Sequence, residues 1–241
     1  MLLSNQCILV TRPEPQGHEL CALLNKQGAT TYYIPTLEIQ PRAVHLSLFK
    51  PDIAIFISVN AVKHYPFKNF PASTCYFAVG VATAMALMER GVIAQQPEHS
   101  DSEGLLDLSD LQNVMGKSIA IFCGMGGRML LQETLKKRGA HCQRYEVYER
   151  RCAINQAQRL QSLLKEVAFN YVICTSSENL LCLEQLAGDE ITILQQIPLI
   201  VISKRIGLVA TERGFTQVLA MKKSFDNISL VQQLVEWRKA I

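Results

Sequence analysis

A chain that repeats itself can fold only into something that repeats, and this one does so over nearly its whole length. Residues 8–29 read ILVTRPEPQGHELCALLNKQGA, and 111 positions on, from Ile119, the chain reads IAIFCGMGGRMLLQETLKKRGA without a gap. Each copy is an apolar run, a turn, an amphipathic helical pattern and a closing Gly-Ala. The extended segments 34–41 (IPTLEIQP) and 145–152 (YEVYERRC) keep the same offset. Further on, DIAIFISVNAV from Asp52 matches NYVICTSSENL from Asn170, with Ser58 falling on Ser176. A third pair, ending at Gly91 and Gly214, closes each half.

Every copy alternates short continuous apolar runs with helical periodicity. Helices are predicted over 17–27, 83–90, 128–138, 204–213 and 228–240. That alternation implies parallel sheets covered on both faces, an α/β fold. Paired halves can exchange elements. If segments 36–41 and 145–151 pair as a two-stranded linker, residues 1–35 and 152–241 make one discontinuous domain and 42–144 the other.

Composition narrows the function classes. With 49% hydrophobic and 19% charged residues, the chain has ordinary globular character. No apolar run nears the roughly 18 residues of a membrane span, and no secretory signal pattern opens the chain, so a cytoplasmic protein is expected. A net charge of +3 without a dense basic stripe disfavours a nucleic-acid partner; Lys136, Lys137, Arg138, Lys222 and Lys223 read as solvated faces. The eight cysteines contain no C-x-x-C pair and are expected to be reduced packing residues. The five histidines lack metal-site spacing.

In open parallel sheets, ligands lie outside the carboxyl ends of the strands. That places Thr11 and Arg12, Ser58 and Asn60, Gly80 and Thr83 as candidates from one copy. Gly124 through Arg128, Thr175 and Ser176, and Ser203, Lys204 and Arg205 come from the other. Hydroxyls, glycines and cations at helix N-termini suit carboxylate or phosphate ligands. Ser and Thr also cap helices in any protein, so each carries both readings. The Gly124–Gly127 stretch lacks G-x-G-x-x-G, no P-loop or nucleophile elbow is present, and Asp52 opens its strand where a phospho-acceptor would close one.

Taken in order, VTRPEPQG from Val10, IFISVNAV from Ile55, AVGVATA from Ala78, SEGLL from Ser102, CGMGGR from Cys123, VYER from Val147 and ICTSSENL from Ile173 resemble the uroporphyrinogen-III synthase family over essentially the whole chain. Two departures stand out: Ile57 where members often carry Thr, and Asn179 where they often carry Gly.

The resemblance implies two flavodoxin-like domains flanking a cleft, no metal or organic cofactor, and a monomer. The implied substrate is hydroxymethylbilane, a linear tetrapyrrole with eight carboxylates, and the product is uroporphyrinogen III. The implied reaction is loss of water, attack by the substituted carbon of ring D, and fragmentation and reclosure of a spiro intermediate. A transient contact with the deaminase that precedes this step is the one protein partner suggested. Tyr148 falls on the family tyrosine thought to assist departure of the hydroxyl. Thr83, Ser58, Ser176 and Arg12 fall on carboxylate binders, and Arg128 on either a binder or a surface helix residue. Two other functions fit the same residues: a two-lobed binding or sensor protein without chemistry, and a flavodoxin-like redox module, the latter disfavoured by the loop Thr11–Pro15.

Overall fold

Short strands, most of them parallel, and helices succeed one another along this computed structural model, which describes residues 2–44, 50–66, 71–221 and 226–239. Lys222, Lys223 and Ala240 lie outside the described residues. The chain runs β1 (Cys7–Val10), α1 (Gln16–Lys26), β2 (Thr30–Tyr33), β3 (Leu37–Pro41), β4 (Ile53–Phe56), α2 (Val59–Lys63), β5 (Cys75–Ala78) and α3 (Val81–Met88). It continues through α4 (Ser102–Asp107), α5 (Ser109–Gln112), β6 (Ser118–Gly124), α6 (Leu130–Lys137), β7 (His141–Cys152) and α7 (Ala157–Glu166). The rest is β8 (Tyr171–Cys174), α8 (Ser177–Ala187), α9 (Ile191–Gln196), β9 (Leu199–Val201), α10 (Lys204–Glu212), β10 (Val218–Ala220) and α11 (Asn227–Lys239).

Two compact units result: Met1–Glu38 with Arg151–Ile241, and Ile39–Arg150. The chain passes from the first to the second within β3 and returns near the end of β7.

The first unit holds a five-stranded sheet in the order β10-β9-β8-β1-β2, all pairs parallel. In order of appearance along the chain this is the 2-1-3-4-5 arrangement of flavodoxin-like sheets, whose switch point lies between β1 and β8. Side chains alternate between its faces. Leu9, Val172, Cys174, Leu199 and Val201 pack with α7, α8, α9 and α10 on one face. Ile8, Val10, Tyr171, Ile173 and Ile200 pack with α1 and α11 on the other.

In the second unit the order is β3-β7-β6-β4-β5, with β7, β6, β4 and β5 mutually parallel. Ile53, Ile55, Phe77, Ile119 and Ile121 face α4, α5 and α6. Ala54, Phe56, Ala78, Ala120 and Phe122 face α2 and α3. Burying each large apolar side chain contributes about 1.5–3 kcal/mol, so strands sealed on both faces set the core of each unit.

Helix ends depart from the sequence expectation by at most two residues. Helix α3 opens earlier, at Val81, because Gly80 takes the extended backbone of an N-cap. Helix α6 opens later, at Leu130 with Met129 as its N-cap, after a loop whose Gly126 (φ +74°) and Gly127 (φ +86°) are left-handed.

The cysteine expectation needs one correction: Cys152 and Cys182 form a disulfide. They are 30 residues apart, so no spacing motif marks them; the end of β7 and the middle of α8 bring their Cα atoms to 5.1 Å. Cys21, Cys123, Cys142 and Cys174 are free and buried. Burial raises the affinity of all four for their protons, that of Cys174 to about 12, as expected of inert packing thiols. No helix among the described residues is long and apolar enough to cross a membrane.

Candidate active site

At the carboxyl end of β4, Ser58 leaves the sheet with extended backbone and caps α2, its Oγ accepting the Ala61 N–H at 3.0 Å. The same Oγ lies 3.1 Å from the Tyr148 hydroxyl, within hydrogen-bonding distance. Tyr148 is 5% exposed, its ring held in the cluster of Phe56, Val62, Phe122 and Val147.

A slip in register aims it. Cys123 pairs with Glu146 but Gly124 pairs with Tyr148, so β7 carries one extra residue at this point, a bulge that turns the tyrosine over the end of β6. Gly124 leaves room for the ring, since a Cβ there would meet Tyr148 Cζ at 2.7 Å. The Tyr148 carbonyl in turn accepts the Met125 N–H at 2.8 Å. The His64 ring sits 6.1 Å from the Tyr148 ring, and burial, reinforced by Lys63, holds its imidazole below the usual pKa.

The glycine loop after β6 is stapled to β7. Arg144 donates to the Gly126 carbonyl at 2.6 Å and to the Arg128 carbonyl at 3.0 Å, while Glu146 accepts the Gly126 N–H at 3.3 Å. The Arg128 side chain itself is exposed and paired with Glu103 at 3.1 Å. Asn60 is half-buried in the first turn of α2, and Thr83 is buried in α3.

In the first unit Ser176 and Ser203 repeat the capping geometry, accepting from Asn179 N at 3.0 Å and Ile206 N at 3.4 Å. Lys204 follows as the exposed first residue of α10. Thr175 donates its N–H to Asn179 Oδ1 at 3.0 Å. Arg12 is half-buried and donates to Asn227 Oδ1 at 2.9 Å; burial lowers its pKa, Glu19 counteracts, and the guanidinium stays charged.

Thr11 differs from the rest. It has no exposed surface, and its hydroxyl lies 2.7 Å from the Ile173 carbonyl and 3.0 Å from Asn179 Oδ1. The residue after an apolar strand is at the sheet end, but here Asn179 fills the space beyond it, so Thr11 presents nothing to a ligand.

The structure therefore joins Ser58, Gly124 and Tyr148 in one cluster and Thr11, Thr175 and Ser176 in another. Sequence reasoning missed the roles of Arg144, Glu146, His64, Thr36 and Asn179; the only advance signal was the departure noted at Asn179.

Comparison with known proteins decides the family. The model described as uroporphyrinogen-III synthase HemD matches residues 18–232. The chain belongs to the uroporphyrinogen-III synthase family. It is 34% identical to the uroporphyrinogen-III synthase of Escherichia coli (strain K12), across 94% of this chain and 99% of that protein. It is 32% identical to that of Salmonella typhimurium over the same shares.

Solved family structures agree in fold. The uroporphyrinogen-III synthetase of Helicobacter pylori 26695 gives a TM-score of 0.59 at 15% identity, covering 96% of this chain and 99% of that one. A mutant synthase from the extreme thermophile Thermus thermophilus gives 0.58 at 15% identity, covering 98% and 100%.

Proposed function

We propose that this chain cyclises hydroxymethylbilane to uroporphyrinogen III, with loss of water and inversion of ring D through a spiro intermediate. The family relation supports the reaction, and the Ser58–Tyr148 contact is the observation that carries its mechanism.

Ser58 already accepts the Ala61 N–H, which leaves its own proton for the phenol oxygen of Tyr148. Tyr148 then has its proton free to donate to the departing hydroxyl. The C–O bond breaks with its electrons on oxygen, the hydroxyl leaves as water, and the pyrrole nitrogen takes up the positive charge as an azafulvene. The substituted carbon of ring D attacks the azafulvene carbon. The spiro intermediate breaks the bond from that ring D carbon to the bridge carbon of ring C, and the bridge carbon re-bonds to the free α-carbon of ring D. The proton lost from that α-carbon returns to the Tyr148 oxygen, restoring the aromatic pyrrole and the phenol. Substrate and product then differ by one water.

The protein's main task is to hold a folded geometry in which direct closure is disfavoured. Donors at helix N-termini suit the carboxylates of the substrate: Ser176 and Thr175 at α8, Ser203 and Lys204 at α10, Asn60 at α2, with Arg12, Thr83 and Arg128 as further contacts. Transfer from the preceding deaminase to a monomeric acceptor fits a substrate that closes unaided to the wrong isomer.

The test is to add the purified protein to freshly made hydroxymethylbilane, oxidise the products and resolve uroporphyrins I and III by chromatography. Isomer III that depends on the protein is the expected result. Isomer I alone would overturn the proposal and favour a binding protein.

A further inference from the structure

Asn179 is fully buried and every polar atom of its side chain is engaged. Its Oδ1 accepts from Thr175 N and faces the Thr11 hydroxyl, both at 3.0 Å. Its Nδ2 donates to the Thr11 carbonyl at 2.9 Å and to Thr36 Oγ1. Thr36, also fully buried, returns its hydroxyl proton to the Asn179 carbonyl at 3.2 Å.

The same network ties down the chain where it leaves and re-enters the first unit. Thr36 donates its N–H to the Thr11 carbonyl at 3.2 Å and accepts the Ala153 N–H at 2.9 Å. The Cys152–Cys182 disulfide fastens the returning chain to α8 once more. Helix α8, whose N-cap is Ser176, is thus bonded to both passages of the chain.

The internal repeat makes a control of the second unit. The offsets that align the two halves place Thr11 on Phe122, Thr36 on Val147 and Asn179 on Ala61. There the three positions are apolar and buried in one cluster. The strand ends still meet, with Ile57, the counterpart of Thr175, donating its N–H to the Phe122 carbonyl at 3.2 Å. The fold therefore closes this junction with apolar residues when it has no other demand on it. A buried polar trio in the first unit answers a different demand, because fully satisfied buried networks fix geometry more sharply than they add stability.

We propose that Asn179 is a positioning residue: through Thr11 and Thr36 it fixes the Thr175–Ser176 turn relative to the two chain passages, so that the Ser176 hydroxyl and the N-terminal amides of α8 meet the substrate's carboxylates in one geometry. The inference rests on the proposed reaction for its substrate, and on the hydrogen bonds alone for its local effect.

The experiment replaces the whole trio with apolar residues, Thr11→Val, Thr36→Val and Asn179→Ala together, so that no side chain of the trio is left stranded; the Thr175 N–H and Thr11 carbonyl it releases correspond to the Ile57 N–H and Phe122 carbonyl, which bond to each other in the second unit. Four quantities are read on the full chain: Tm, amide exchange across 175–179, and KM and kcat for uroporphyrinogen III formation. The expected result is a Tm within a few degrees of the parent, faster exchange confined to 175–179, and a KM raised about tenfold with kcat changed less than about threefold. Unchanged exchange would overturn the proposal, as would unchanged KM. A triple variant that fails to fold would also overturn it, since the network would then serve the fold. Absence of isomer III from the parent protein would instead defeat the proposed reaction, leaving amide exchange to judge the local effect.

Discussion

Asp52 and Asn170 hold the same place in the two halves, each fixing the start of the neighbouring central strand through a backbone N–H, yet one is charged and the other neutral. Asp52 accepts from Ser118 N at 2.8 Å and from the Ser118 hydroxyl at 2.7 Å. Asn170 accepts from Cys7 N at 2.8 Å. Ser58 and Ser176 form a second such pair: both cap a helix, but the Ser58 hydroxyl faces Tyr148 whereas α8 spends Asn179, three residues after its cap, on the chain passages. The difference teaches that the repeat supplies strand starts, caps and exposed amides to both halves, and that each half then commits them to a separate task. On the proposed mechanism, chemistry gathers in the second unit and anchorage in the first.

The largest effect should come from filling the space beside Tyr148. Gly124→Ala would drive a methyl into the ring, and turnover should fall about a hundredfold or more, with a stability loss of about 1–3 kcal/mol from overpacking. Steady-state kinetics and denaturant unfolding measure both. Turnover close to the parent's would mean that the ring position is unimportant.

Removing the paired caps should separate the halves. Ser58→Ala and Ser176→Ala should each cost about 1 kcal/mol as lost N-caps. Ser58→Ala should in addition lower kcat about tenfold, whereas Ser176→Ala should raise KM severalfold and leave kcat nearly unchanged. Identical kinetic changes in the two variants would erase the distinction.

The smallest effect concerns pH. Hydrogen bonds from the Ser118 backbone and side chain hold the Asp52 carboxyl below its ordinary pKa. A depressed carboxylate stabilises the fold above its unfolded pKa, and that contribution is lost as pH falls through the folded value. Asp52→Asn, which copies Asn170, should lower Tm slightly at neutral pH, and the gap from the parent should close as pH drops below the usual carboxylate range. A gap that widens on acidification would reverse the assignment.

Much of the architecture was legible because the two periodicities and the terminal glycines repeat at nearly constant offsets, and β1, β4, β6 and β8 are continuous apolar runs sealed on both faces. Strand ends were legible for the same reason, which is how Ser58, Ser176 and Ser203 surfaced as caps and candidate contacts. What could not be read is what lies opposite a strand end. Thr11 looks like an exposed hydroxyl until Asn179, 168 residues away, is seen to cover it. The Ser58–Tyr148 contact spans 90 residues and depends on a bulge that no local pattern announces. Cys152 and Cys182 meet only because β7 ends beside α8. Long-range pairings are set by topology, and a one-residue shift in register moves every side chain to the other face.

The most direct measurement of this division of labour is turnover of Tyr148→Phe, read as uroporphyrinogen III formed per enzyme, beside its Tm. Loss of one hydroxyl from a ring still packed against Phe122 and Val147 should leave Tm within a few degrees of the parent and lower kcat about a hundredfold. Turnover near the parent's with the fold intact would contradict the account and remove the Ser58–Tyr148 pair from the chemistry.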